Sequence, residues 1–420
     1  MRNLFIFILS FFSLQSFASY ILIPMDAGQK NHLKAYGIAY WVLNNNVEVQ
    51  WLLNYKGGSF MFPYNKVMSN ECTIRGVTFD VIPDAQSTAI LEEISNPEAN
   101  QDVVKLEKAP KMAVYSPKGK QPWDDAVTLV LTYAEIPYDI IYDEEIMNES
   151  LVKYDWLHLH HEDFTGQYGR FYSGYKNASW YQEEVKSNET MAKKLGFSKV
   201  SEMKLAVAKK IRDFCFGGGF LFAMCSASDS YDIALAAEGV DVCAEMFDHD
   251  ASDPDMNKKI DYTKCLAFEN FSLSTNPYEY EFSNIDTYQT RGQKGITKEN
   301  DYFTLFEFSA KWDPIPTMLC QNHETMIKGF WGQTAGYEKK YIKKNVLIMG
   351  ENKGAGEARY LHGEFGKGTW SFFAGHDPED YQHKVEDPPT DLNLHPNSAG
   401  YRLILNNVLF PAAKKKKRQT

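Results

Sequence analysis

The chain has 420 residues, is 14% aromatic and carries a formal net charge of −11 at pH 7. A chain of this length predicts two or three domains with a sizeable buried core. An acidic composition is not typical of proteins that bind nucleic acid, so we expect no nucleic-acid partner. The six cysteines show neither a CxxC pair nor zinc-finger spacing. We predict no cofactor.

Residues 1–18 have the pattern of a secretory signal peptide. Arg2 precedes an apolar run at 4–12, and Ser16-Phe17-Ala18 matches a small-x-small cleavage site. Cleavage near Ala18–Ser19 would give an exported protein, periplasmic or extracellular. No later segment reaches the roughly 20 apolar residues that cross a bilayer, so we predict no transmembrane segment. The basic run at 414–420 is predicted to be a solvated, disordered tail.

Residues 19–108 are predicted to form a small N-terminal α/β unit. Strand and helix patterns alternate there, with strands at 20–25, 47–55 and 77–83 and helices at 30–43, near 69 and at 85–94. A hydrophilic stretch at 96–111 follows. We therefore place a domain boundary near residue 109.

Residues 109–413 are predicted to form an α/β domain with a doubly wound, mostly parallel sheet. Strand patterns at 112–115, 138–142, 154–160, 346–349 and 369–374 alternate with helical patterns. Ligands bind such sheets at the carboxyl ends of the strands. Long insertions at 163–200 and 243–345 interrupt the alternation, and their aromatic residues either wall a pocket or pack: Tyr168, Phe171, Tyr172, Tyr175, Trp180, Phe330 and Trp331.

Cys225 is the strongest candidate for a nucleophile. An apolar run at 220–224 ends at this cysteine, small residues stand two places away at Ala223 and Ala227, and a helical pattern follows. Small neighbours permit a sharp strand-to-helix turn that exposes the corner side chain. The helix N-terminus beside the sulfur would favour the thiolate. The alternative is a small cysteine packed in the core.

His376 is the candidate base for this nucleophile. It follows the strand pattern at 369–374, where the carboxyl ends of parallel strands meet. A cysteine nucleophile needs a base and a third group that orients the base. Glu379 or Asp377 is predicted to be that third group.

Several polar residues, from His158 to Asp163, stand at the end of another predicted strand. In a strand, His158 and His160 share one face, and with Asp163 they form a weak candidate for a cation site. We do not predict a bound metal. These polar groups either hydrogen-bond the adjacent loop or, as we prefer, place His160, His161 and Glu162 against substrate beside Cys225.

The order of a strand-end cysteine between small residues and a late histidine followed by acids resembles the class I glutamine amidotransferase-like superfold, over about residues 109–413. The resemblance implies that Cys225 attacks an amide, His376 moves the proton and Glu379 orients His376. It also implies that the Ser226 backbone amide holds the oxyanion. The full chain resembles, in addition, exported bacterial proteins that carry the label asparagine synthetase B.

The chemistry of that label does not match the residues. Such synthetases use an N-terminal cysteine and an SGGxDS-like ATP loop, whereas cleavage here would expose Ser19. The nearest string in this chain, Ser226-Ala227-Ser228-Asp229-Ser230, lacks the glycines. We therefore expect amide chemistry without ATP.

Two functions remain open from the sequence. The first is a cysteine-dependent amidohydrolase that acts on a carbon–nitrogen amide bond of a small molecule. The second is a non-catalytic periplasmic binding module for a small polar or sugar-like ligand, in which Cys225 is merely packed. Three features favour the second: the absence of a glycine-rich oxyanion turn after the strand pattern at 154–160, the two residues between His376 and Glu379, and the aromatic-rich insertions. The sequence does not indicate the oligomeric state.

Overall fold

The computed structural model describes residues 19–119, 121–381 and 384–414. The predicted signal peptide and residues 415–420 of the basic tail lie outside this range. The strands are β1 (Ser19–Ile23), β2 (Val49–Leu53), β3 (Ser59–Pro63), β4 (Asp80–Pro83), β5 (Asp102–Leu106), β6 (Met112–Tyr115), β7 (Asp139–Ile141), β8 (Trp156–Leu159), β9 (Phe220–Met224), β10 (Tyr302–Leu305), β11 (Met326–Lys328), β12 (Tyr337–Glu338), β13 (Leu347–Asn352), β14 (Glu357–Phe365) and β15 (Gly368–Phe373). The α-helices are α1 (His32–Asn44), α2 (Lys66–Ile74), α3 (Asp84–Ser95), α4 (Ala126–Tyr133), α5 (Asp143–Met147), α6 (Tyr172–Tyr175), α7 (Ser179–Lys194), α8 (Val200–Gly217), α9 (Ser226–Ala236), α10 (Glu245–Asp248), α11 (Met256–Lys259), α12 (Tyr288–Arg291) and α13 (Ala399–Leu409).

The N-terminal residues form a five-stranded sheet in the order β4-β1-β3-β2-β5. Every pairing in this sheet is antiparallel. Neither β3 nor β5 is among the predicted strands, and β5 lies in the hydrophilic stretch at 96–111. Alternation explains β5, because Val104 and Leu106 are buried while Lys105 between them is exposed.

The second sheet is mixed and has ten strands, in the order β11-β10-β13-β14-β15-β9-β8-β6-β7, with β12 paired to β14. The strands from β15 to β7 pair in parallel. The strands on the other side of β15 pair antiparallel. The protein is therefore a mixed α/β structure whose large sheet is about half parallel, where the sequence predicts a mostly parallel one. The strand predicted at 346–349 is β13, which pairs antiparallel with β10 and β14.

Two hydrophobic clusters cover the faces of the large sheet. One cluster joins β6, β8, β9 and β15 to α1, α4 and α13 and continues into the N-terminal sheet. The other packs α8 and α9 against the opposite side chains of the same strands. Because both faces of the parallel strands are filled, the polar residues that follow these strands meet at the carboxyl edge of the sheet.

All six cysteines lie within the described residues, and each is a buried free thiol. Among the helices of those residues, none combines the length and the apolar composition needed to cross a bilayer.

Candidate functional site

Four side chains converge at the carboxyl edge of the parallel strands. His160, His161, Cys225 and His376 each offer a nitrogen or sulfur atom, and these four atoms all lie within 4.8 Å of one another. The histidines follow β8 and β15, and the cysteine follows β9, which lies between those two strands. Parallel pairing brings together residues that are up to about two hundred positions apart in the chain.

Cys225 occupies the sharp corner between β9 and α9. Its backbone has φ 54° and ψ −144°, a region that L-residues rarely adopt. Its N–H donates to the Phe373 carbonyl at 3.2 Å, and its carbonyl accepts from the Ser228 N–H at 3.1 Å. The structure thus contains the strand, cysteine and helix in the predicted order, with the cysteine held at the turn by backbone bonds on both sides.

The thiol of Cys225 is buried at this corner. Its Sγ donates to the Gln333 carbonyl at 3.0 Å, and the residue is 1% exposed. Burial raises the pKa of the thiol well above its ordinary value, while the Ser226 backbone N–H beside the sulfur favours the thiolate. The resting sulfur therefore carries its proton and needs a base, and the segment at 332–334 covers it.

The three histidines stack on one another above the cysteine. The ring centroids of His160 and His161 are 3.8 Å apart, and His376 lies 4.9 Å from His160 and 4.3 Å from His161. Burial lowers the pKa of His160 to about 4 and that of His161 well below its usual value. These two imidazoles are therefore neutral at pH 7, and they can accept a proton or a metal ion.

Two aspartates at the start of α4 contact the histidines. Asp124 Oδ1 lies 3.2 Å from His376 Nε2. Asp125 Oδ1 caps α4 by accepting the backbone N–H groups of Val127 and Thr128, and Asp125 Oδ2 lies 3.1 Å from both His158 Nε2 and His160 Nδ1. Neither aspartate is among the site residues predicted from the sequence. The feature that could have identified them is an acidic pair on the loop that follows β6, a strand that pairs with β8.

The acids predicted to orient His376 contact other groups. Asp377 accepts the Tyr401 hydroxyl at 2.6 Å and the Thr390 hydroxyl at 3.0 Å, so it anchors the loop to α13. Glu379 lies 3.2 Å from His395 Nδ1. The carboxylate that the structure places at His376 Nε2 is Asp124, which comes from a different part of the chain.

The remaining predicted residues divide between the site and its supporting loop. Ser226 Oγ donates to the His161 carbonyl at 3.3 Å, so it lies at the site. Glu162 accepts the Tyr142 hydroxyl at 3.0 Å, and burial raises the pKa of this carboxyl to about 7. Asp163 accepts the backbone N–H groups of the following loop. Its oxygens therefore order that loop, and the convergent group contains His160 without His158 and Asp163.

An aromatic wall lies beside His161. We use this name for Trp123, Phe171, Trp180 and Tyr280. The ring of Trp123 is 5.3 Å from each of His161, Phe171 and Trp180, and Tyr280 packs 5.7 Å from Phe171. Two of these rings come from the insertion at 163–200, so aromatic residues of that insertion do lie next to the convergent side chains.

No protein-family model and no curated protein matches the chain. Structural comparison aligns it with the cytoplasmic protein STM3548 from Salmonella typhimurium, at 9% identity over 73% of this chain and 100% of that chain, with a TM-score of 0.34. The cytoplasmic protein STM1381 from Salmonella typhimurium LT2 aligns at 12% identity over 72% of this chain and 100% of that chain, with a TM-score of 0.34. Gan42B, a GH42 beta-galactosidase from G. stearothermophilus, aligns at 11% identity over 64% of this chain and 28% of that chain, with a TM-score of 0.27.

Proposed function

We propose that the protein is an exported, cysteine-dependent amidohydrolase that cleaves a carbon–nitrogen amide bond of a small molecule. The observation that carries this proposal is the placement of Cys225 at a positive-φ corner within 4.8 Å of three histidine side chains. A nucleophile held at such a corner with an adjacent base is the arrangement that acyl transfer requires.

The order of the parallel strands supports a related proposal on the fold. If β6, β7, β8, β9 and β15 are numbered in chain order, they lie in the sheet as 2-1-3-4-5. That order is the doubly wound, flavodoxin-like one, in which ligands bind outside the carboxyl ends of the strands. We propose on this basis that residues 109–413 adopt a class I glutamine amidotransferase-like fold with insertions.

His376 is the proposed base. Asp124 fixes one nitrogen of the ring at 3.2 Å, so the other nitrogen serves as the proton acceptor. In the proposed reaction His376 takes the thiol proton as Sγ attacks the amide carbon, and the carbon–nitrogen bond then breaks. The proton passes to the leaving amine, and water hydrolyses the thioester to free Cys225.

The proposed oxyanion donor is the backbone N–H of Ser226, the first residue of α9. This N–H lies beside the sulfur and points from the positive end of the helix. Substrate access requires residues 332–334 to move, because the Gln333 carbonyl accepts the thiol in the resting structure. Gly332, at φ +123°, makes such close packing possible, since a Cβ there would lie 2.6 Å from His376 Cβ.

The test is ammonia or amine release from a panel of small primary and N-substituted amides. We expect turnover of at least one compound and a loss of at least about a thousandfold in kcat for Cys225→Ala, with unchanged circular dichroism. Cys215→Ala is the matched control, because Cys215 is also a buried thiol next to the large sheet. Equal turnover by Cys225→Ala would refute the proposal.

The aromatic wall favours a second candidate, a non-catalytic binding module. Aromatic rings beside polar side chains can stack on a sugar-like or other small polar ligand. Binding of a panel compound without any turnover, and with equal affinity in Cys225→Ala, would support this candidate over the hydrolase.

A further inference from the structure

We propose that His160, His161, Cys225 and His376 together bind one divalent transition-metal ion of the Zn²⁺ class. Three imidazoles and one sulfur are the ligand types that Zn²⁺ and Co²⁺ prefer. Their ligand atoms already lie within 4.8 Å of one another, and three of the four residues are buried. The weak cation candidate of the sequence, at His158, His160 and Asp163, is a different set.

The distances are close to those of a tetrahedral site. Bonds of about 2.0–2.1 Å to nitrogen and about 2.3 Å to sulfur place neighbouring ligand atoms about 3.3–3.6 Å apart. The observed upper limit of 4.8 Å means that any pair of ligand atoms must close by at most about 1.2–1.5 Å. Rotations of the four side chains provide this movement without a change in the strands.

Each histidine has an outer partner that orients it toward a common centre. Asp125 lies 3.1 Å from His160 Nδ1. Asp124 uses its side chain for His376 Nε2, at 3.2 Å, and its backbone carbonyl for His161 Nε2, also at 3.2 Å. Metal-bound histidines typically donate their second N–H to such carboxylates and carbonyls. This arrangement assigns Nε2 of His160 and Nδ1 of the other two histidines to the ion.

The ring nitrogen of His160 that lacks a partner among the described residues is a second, independent observation that points to a ligand at this cluster. The side chain of His160 is 3% exposed, and within the described part of the chain its Nε2 has no hydrogen-bond partner. A buried ring nitrogen without a partner costs free energy unless a ligand meets it. The rings of His161 and His376 both pack against His160 and lie 4.3 Å from each other. Because Cys225 Sγ is within 4.8 Å of the histidine ligand atoms, the place for that ligand is between the imidazoles and the sulfur.

Metal binding does not depend on the proposed hydrolysis, although both use Cys225. The ion would replace the thiol proton, which leaves to solvent, and a sulfur held by the ion cannot attack an amide. If both proposals hold, Zn²⁺ therefore inhibits the hydrolase. If activity persists in the presence of a chelator and the protein does not bind Co²⁺, the hydrolase proposal stands and the metal proposal fails. If the protein binds Co²⁺ but turns over no amide, the metal proposal stands and the hydrolase proposal fails.

The experiment is a Co²⁺ titration of the chelator-treated full-length mature protein, followed by displacement with Zn²⁺. We expect one equivalent to bind, with the thiolate-to-cobalt charge-transfer band and the intense visible bands of a tetrahedral site. Cys225→Ser should lose the charge-transfer band, and His160→Ala should bind Zn²⁺ at least about tenfold more weakly. Absence of the charge-transfer band in the unaltered protein overturns the proposal, whatever the variants do.

Cys243→Ser is the matched control. Cys243 lies with Asp241 and Asp248 in a second group of potential ligands, in which Lys199 contacts both aspartates. The charge-transfer band should survive this substitution. Loss of the band in Cys243→Ser, with its retention in Cys225→Ser, would place the ion at the second group and contradict the proposal.

Discussion

At the scale of single residues, Asp124 is the carboxylate that contacts His376, the proposed base. The two residues are 252 positions apart, and their side chains meet at 3.2 Å. Cys225 and His376 could be predicted because their own neighbours in sequence define a strand end and a turn. Asp124 could not, because an aspartate before a helix is most often only a cap, and its contact depends on the pairing of distant strands.

Replacement of Asp124 tests this assignment. We expect Asp124→Asn to lower kcat by roughly a hundredfold or more, because an amide favours the wrong tautomer of His376. The measurement is the kcat and KM of the amide hydrolysis with the pH profile of each. Glu379→Gln is the comparison, since Glu379 lies against His395 and should matter little. The reverse ranking of the two variants would restore Glu379 as the orienting acid.

Asp229 gives a prediction on pH and stability. Burial raises its pKa to about 7, and Thr334 Oγ1 donates to it at 3.1 Å. Burial and the nearby Asp229 also raise the pKa of Asp286. A carboxyl with a raised pKa in the folded state stabilises the fold at low pH, and that contribution is lost as pH rises through about 7.

The contribution of Asp229 to the unfolding midpoint should therefore fall between about pH 4, near the pKa of an aspartate in the unfolded chain, and about pH 7. In Asp229→Asn that fall should be smaller, because an amide of the same shape does not titrate. Thermal unfolding followed by circular dichroism at a series of pH values measures both effects. An identical slope in the two proteins would show that Asp229 stays ionised in the fold.

At the scale of elements, the corner between β9 and α9 holds Cys225 in a strained backbone conformation. The order of strand, cysteine and helix could be predicted because the apolar run, the small neighbours and the helical pattern are local signals. The strands β3 and β5 could not be predicted as readily. Ser59–Pro63 begins directly after Gly57-Gly58, a pair typical of a turn, and Asp102–Leu106 alternates charged and apolar residues.

The strain gives a prediction on stability. At φ 54° and ψ −144°, glycine is permitted and alanine is strained. Cys225→Gly should therefore be more stable than Cys225→Ala by about 1–2 kcal/mol, although glycine loses more entropy on folding. Urea unfolding of the two variants measures the difference. Greater stability of the alanine variant would mean that the corner is relaxed.

At the scale of the whole molecule, one hydrophobic cluster joins the N-terminal sheet to the large sheet. Arg402 of α13 reinforces this junction. Its guanidinium donates to the Tyr36 hydroxyl at 3.1 Å, to the Met25 carbonyl at 3.1 Å and to the Gly57 carbonyl. The alternation of strands and helices predicted the parallel half of the large sheet. The antiparallel half depends on long-range pairing of the strands from β10 to β14, three of which lie in the second insertion, and local patterns do not encode that pairing.

A shared core predicts cooperative unfolding. We expect a single transition when the protein is followed by both tryptophan fluorescence and circular dichroism, and Arg402→Met should lower the free energy of unfolding by about 3 kcal/mol or more. Stability is lost because the Met25 and Gly57 carbonyls would no longer accept a hydrogen bond from residue 402. Two separate transitions in the unaltered protein would show that the N-terminal sheet folds as an independent unit.

The most direct test of the account is the rate of iodoacetamide labelling of each cysteine in the folded protein, read by peptide mass spectrometry over a range of pH. All six thiols are buried, so burial alone predicts uniformly slow labelling. We predict that Cys225 reacts faster than the other five, and that His376→Gln removes its advantage. Labelling of Cys225 no faster than that of the other cysteines would contradict the assignment of an activated nucleophile.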